Sequence, residues 1–253
     1  MTHAQRLTIL LFVAIAVMVA VALSPRVSQP LAYHHFADTR ALLGVPNALN
    51  VLSNLPFLIV GAWGTWFLIG RRGAFVEPIE HLPYLIFFLG VALTCFGSGY
   101  YHLAPDNDRL VWDRLPMTIA FTALFAALLG ERVGIIAGLR ALPIFLLVGA
   151  SSVGYWIWTE HVGRGDLRPY LFVQFFPILA IPLLISLFPP RYTRALDFSY
   201  VIGFYLLAKV LEFSDAAIFT ATRNLVSGHS LKHLAAAVAV WFVLRMLEKR
   251  QPN

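Results

Sequence analysis

The run LPYLIFFLGVALTCFGSGYYH, residues 82–102, decides the fold. No charged side chain interrupts it from Leu82 to Tyr101, and those twenty residues make a helix about 30 Å long, the thickness of a bilayer's hydrocarbon core. Its last turn changes character, with Ser98 and His102 four residues apart and so on one face of the helix. Seven further apolar runs lie outward of it, near residues 7–24, 50–70, 114–131, 138–158, 169–188, 197–213 and 229–247, giving eight candidate spans. Of the 253 residues, 59% are hydrophobic and 13% charged, against the roughly 25% charged of a soluble domain. With a mean hydropathy of +0.74 the chain has too little polar surface for a water-soluble enzyme. An all-α integral membrane bundle, a single domain over residues 1–253, is the expected fold.

The connectors are short and carry most of the proline, glycine and charge, as in Arg71-Arg72-Gly73 and Pro189-Pro190-Arg191. The first run, after Arg6, reads either as a retained helix or signal anchor, or as a signal peptide with Ala20-Val21-Ala22 as a small-residue cleavage site, the retained helix being preferred because the run is long. The net charge of +6 is spread singly and in pairs over the loops, the pattern of anchors beside anionic lipid and not of a nucleic-acid footprint. With the N-terminus cytoplasmic, Arg6, Arg71, Arg72, Arg132, Arg140, Arg191, Arg194, Arg245, Lys249 and Arg250 fall on that side. Arg26, Arg40, Arg109, Arg114, Arg164, Arg168 and Arg223 fall on the other, with Lys209 and Lys232 inside helices. Ten against seven favours both termini inside. Short loops and no organelle signal point to a bacterial inner membrane.

The one cysteine, Cys95, excludes an internal disulfide and a thiolate zinc cage and reads as a small buried side chain. Metal chemistry therefore rests on histidines and carboxylates. Ionisable residues inside spans are costly, and where they share a depth they mark a functional site. Three groups do so: Ser98 with His102, Trp112-Asp113-Arg114 eleven residues on, and His229 with His233. On alternating spans all three reach the non-cytoplasmic edge. Three imidazoles from two helices with a carboxylate nearby are the parts of a catalytic zinc site, which keeps a fourth position for water and delivers hydroxide near neutral pH. Asp113 suits the base that deprotonates that water, and Ser98 a donor to the oxyanion. Each residue alone also has a plainer reading: a serine bonds back to its own helix, an aspartate faces a helix dipole, a histidine pair caps a helix.

As a set, Ser98, His102, Asp113, His229 and His233 resemble the alkaline ceramidases, within a superfamily of seven-helix membrane hydrolases that also includes the adiponectin-type receptors. The resemblance covers about residues 47–249. It includes Asn50-Val51-Leu52-Ser53-Asn54, LVWDRLPM at 110–117 and GHSLKH at 228–233. It implies that His102, His229 and His233 bind zinc, that Asp113 contacts the water on the metal, and that Ser98 steadies the reacting carbonyl of a ceramide-like membrane lipid. It also implies a seven-helix core, to which the helix at 7–24 is an addition. The acidic N-terminal segment that binds calcium in eukaryotic members is reduced here to Asp38, and calcium usually takes six to eight oxygens, so no calcium site is carried over.

Other polar residues have two readings each. Lys209, Glu212 and Asp215 lie at i, i+3 and i+6. Either Lys209 and Glu212 neutralise each other, or Glu212 or Asp215 accepts from the outer ring nitrogen of a ligand histidine. His34 and His35 read as headgroup-level residues. Arg168 snorkels or meets substrate, and Gln174 joins helices or meets substrate. Gly97, Gly99 and Ala235-Ala236-Ala237 read as close-packing surfaces. The expected activity is a zinc-dependent amidohydrolase that cleaves a ceramide-like N-acyl lipid into a long-chain base and a fatty acid. The competing readings are a lipid-binding receptor of the same fold and a histidine-ligated haem protein.

Overall fold

Each apolar run becomes a helix, because a segment surrounded by hydrocarbon satisfies its N–H and C=O groups only within itself. The computed structural model describes residues 1–70 and 75–253, so the Arg71-Arg72-Gly73 connector lies outside the described residues. The helices are α1 (His3–Leu23), α2 (Ala48–Leu52), α3 (Leu55–Gly70), α4 (His81–Leu103), α5 (Asn107–Arg132), α6 (Ile135–His161), α7 (Arg168–Leu187), α8 (Asp197–Phe213), α9 (Asp215–Ala221) and α10 (Gly228–Lys249). Among the described residues, seven spans are long and apolar enough to cross a membrane, α2 and α3 together making one of them. The surface carries large apolar side chains such as Phe12, Trp66, Leu147 and Phe213, as a lipid-facing surface does.

The eighth expected span, 197–213, is helical but shorter than the others. At 17 residues α8 rises only about 25 Å, and Asp197, Lys209 and Glu212 interrupt its apolar character. Ser214 ends it, and the chain restarts at once as α9. The run at 50–70 also differs from the expected single rod. Pro56 has no N–H for the carbonyl of Leu52, so the helix breaks between α2 and α3 and turns Ser53 sideways.

The pair α4–α5 forms the centre, flanked by α3 and α6, while α10 packs on α8 and α3. Close approach of α4 and α5 depends on Gly97, where a Cβ would stand 1.9 Å from the carbonyl oxygen of Trp112. Gly99 faces open space and has no part in it. α1 lies outside, against α7, with Leu10 its one buried residue. α7 and α8 barely touch, because a cavity separates them.

Residues 24–47 form a strap from α1 across one end of the bundle. Two Asp-X-Arg clips pin it. Arg168 holds both oxygens of Asp166 and donates to the carbonyls of Ala22 and Ser24 at the end of α1. Arg40 holds both oxygens of Asp38 and donates to the carbonyl of Leu225. Several arginines are not the lipid-facing anchors expected of them. Arg114, Arg132 and Arg250 are buried, Arg132 on the carbonyl of Phe188 and Arg250 against Glu131.

Candidate metal centre

α4 ends, α5 begins and α10 begins at the strapped end of the bundle, which brings the three polar groups of the sequence together. His102, His229 and His233 are all buried, and one ring nitrogen from each lies within 4.8 Å of the others. The ring centroids form a near-equilateral triangle of 4.8, 4.9 and 5.1 Å. Nε2 of His102 and Nε2 of His229 are 3.3 Å apart. Two nitrogens at tetrahedral positions around one zinc ion, each 2.0–2.1 Å from it, stand about 3.3 Å apart, so this pair fits a shared cation. The i and i+4 spacing on α10 puts both of its imidazoles on the face turned to His102.

The surroundings hold these rings in place. The hydroxyl of Ser53 lies 2.7 Å from Nδ1 of His233, leaving Nε2 of that ring to face its neighbours. The Asn47 side chain donates to the carbonyl of His102. Asn50, fully buried, accepts from Ser230 through its side-chain oxygen and donates to the carbonyl of Asp38, tying α10 to the strap. From the strap, Phe36 covers the centre with its ring 4.7 Å from that of His102 and 4.4 Å from that of His229.

No family model, curated protein or solved structure matches the chain. Ser98 and Asp113 are buried beside the histidines, their side chains facing each other across the α4–α5 contact that Gly97 permits.

The two carboxylates of the α8–α9 region do other work than bonding to a histidine ring. Glu212 pairs with Lys209 at 2.5 Å and with Lys232 at 3.1 Å, and also accepts from the Tyr33 hydroxyl. Asp215 does reach His229, but through its main chain: one oxygen accepts from the His229 N–H, the other from the Ala37 N–H. Gly228 allows this approach, since a Cβ there would stand 2.3 Å from the carbonyl of Leu211. His34 bonds to the hydroxyl of Tyr101 and to Asn107 in place of facing lipid. Gln174 donates to the Tyr205 hydroxyl, bridging α7 and α8, and Arg168 is occupied by its clip.

A cavity of about 590 Å³ opens beneath this centre. Its polar end contains Ser98, Asp113, Arg114, Glu212, His229, Lys232 and His233. Its wall continues down α4 through Thr94, Val91 and Phe87, down α5 through Met117, Phe121 and Leu124, and down α10 through Ala236, Val240 and Val243. These positions recur every three or four residues, one face of each helix. At 1.5 Å per residue the apolar part runs about 10 Å, and the whole lining from Ser98, Asp113 and His229 downward about 16–21 Å. Both the size and the apolar lining suit a ligand site with a few polar groups at one end.

Proposed function

We propose that the chain is a zinc-dependent amidohydrolase of long-chain N-acyl lipids, of the alkaline ceramidase type, with α1 added to its seven-helix core. The observation that carries this reading is one cavity lined at its polar end by His229, His233, Ser98 and Asp113 and continued as a shaft by apolar faces of α4, α5 and α10. His102, His229 and His233 are the residues that would hold the ion, and the 3.3 Å approach of the Nε2 atoms of His102 and His229 accords with a cation between them. When bound, a zinc ion lowers the pKa of a water and polarises a carbonyl.

The protein's own groups do the rest. The shaft takes the acyl chain and excludes water from it, so the amide stops at the polar end. Asp113 accepts the proton from the attacking water and returns it to the departing amine. The Ser98 hydroxyl donates to the carbonyl oxygen as negative charge develops there. Phe36 and the strap close the aqueous end above the histidines, while the gap between α7 and α8 leaves lateral passage for a lipid already in the bilayer. The site faces the non-cytoplasmic side if the arginine distribution sets orientation, with both termini inside.

The test is release of fatty acid from a panel of N-acyl lipids, ceramide included, by detergent-purified protein of known zinc content. Asp113→Ala is expected to lower kcat by about 10²–10⁴ and Ser98→Ala by about 10²–10³, with zinc retained in both. His233→Ala should lose zinc and activity together. Zinc bound with no turnover on any amide would move the assignment to a lipid-binding receptor.

A further inference from the structure

Arg114 is the one cation at the polar end of the cavity without a carboxylate partner among the described residues. Lys209 and Lys232 share Glu212, whereas no acid pairs with Arg114 although Asp113 precedes it in the chain. The guanidinium is buried. One nitrogen, Nη2, donates to the Gln29 side chain at 2.6 Å. The other, Nη1, has no hydrogen-bond partner. The rings of Trp156 and Tyr170 flank it, with centroids 4.1 and 4.5 Å from Cζ. Such stacking orients the fork without neutralising it. A buried charge that is neither paired nor fully bonded is costly, and its cost is removed when an anion binds there.

We propose that Arg114 is the anion-binding subsite of the cavity, and that the preferred substrate is an N-acyl amino acid whose α-carboxylate it receives. This rests on the amidohydrolase reading and narrows its substrate class. Asp113 and Arg114 are consecutive on α5, so their side chains leave the helix about 100° apart, one toward α4 and the histidines, the other toward α6 and α7. An α-carboxylate lies two bonds from the amide nitrogen, which matches an anion held beside the reacting carbonyl and away from the acyl shaft. A single guanidinium matches a monoanion. A phosphate monoester, carrying about −1.5 to −2 charges, would leave part of its charge unmatched with Glu212 and Asp113 nearby. In the reaction, water adds to the amide carbon and the C–N bond breaks. The acyl half leaves as a fatty acid and the nitrogen takes the second hydrogen, yielding a free amino acid held at Arg114.

N-palmitoylglycine and N-palmitoylethanolamine, one acidic and one neutral, separate the possibilities. Hydrolysis and direct binding of each are measured on the full-length zinc-loaded protein, with a phosphorylated N-palmitoylethanolamine as a third arm. The acidic amide is expected to show a KM and a Kd at least tenfold below those of the neutral one. Arg114→Met should abolish that difference by weakening the acid alone, and Arg114→Lys should keep part of it. Equal binding of acid and neutral amide by wild-type protein overturns the proposal whatever the turnover, and tightest binding of the phosphorylated lipid overturns the choice of carboxylate. Preferential binding of the acid without hydrolysis of any lipid keeps the subsite and removes the amidohydrolase reading.

Discussion

The hydroxyl of Ser53 stands 2.7 Å from Nδ1 of His233, joining the break between α2 and α3 to the first turns of α10 across 180 residues of chain. A partner on the outer nitrogen fixes the orientation of a ligand histidine and tunes its basicity. Ser53→Ala should therefore weaken zinc binding about 10- to 100-fold without loss of helix content. Competition with a zinc chelator, read beside circular dichroism, measures both; unchanged affinity would make the contact incidental.

Gly97 and Gly99 offer a matched pair. Alanine at 97 drives a methyl group into the carbonyl of Trp112, whereas alanine at 99 meets nothing within 4 Å. Gly97→Ala should cost about 1–3 kcal/mol and separate Ser98 from Asp113, while Gly99→Ala should be neutral in thermal unfolding and in turnover. Equal behaviour of the two variants would show that the α4–α5 approach has slack.

Glu212 is the shared partner of Lys209 and Lys232. Its removal leaves two cations beside an apolar cavity, so Glu212→Ala should lower stability by about 3–5 kcal/mol. Lys232→Met should be milder, because Lys209 still neutralises the carboxylate. Denaturant unfolding in detergent ranks the two.

Acid should loosen the strap first. Arg40 holds the Asp38 carboxyl below its ordinary value of 3.8, and Arg168 does the same for Asp166. A carboxylate with a lowered folded pKa contributes stability that is present above its unfolded pKa and is lost as pH falls through the folded one. Below about pH 4, amide exchange should rise at residues 24–47 before it rises in α4 and α5. Asp38→Asn and Asp166→Asn should bring that loosening to neutral pH.

Much of this architecture was legible from local pattern. Apolar runs of spanning length marked the helices, and the four-residue spacings Ser98–His102 and His229–His233 put each pair on one face before any packing was known. The features that escaped reading depend on distant segments. Nothing near Ser53 says that it meets His233, and Phe36 sits in a stretch with no periodicity. Arg114 counted as a loop charge because its position near a helix start looks like an anchor, yet Trp156 and Tyr170, from two other helices, enclose it. Asp215 was sought at a histidine ring, but its carboxylate satisfies free N–H groups at the start of α10 and in the strap, which no spacing rule distinguishes.

The three histidines of the candidate metal centre are divided between α4 and α10. A polypeptide extended only as far as α9 thus carries His102 without His229 and His233. The histidine triangle forms only when α10 docks on the rest of the bundle, so a chain cut short before α10 should fail to retain zinc however well its other helices assemble.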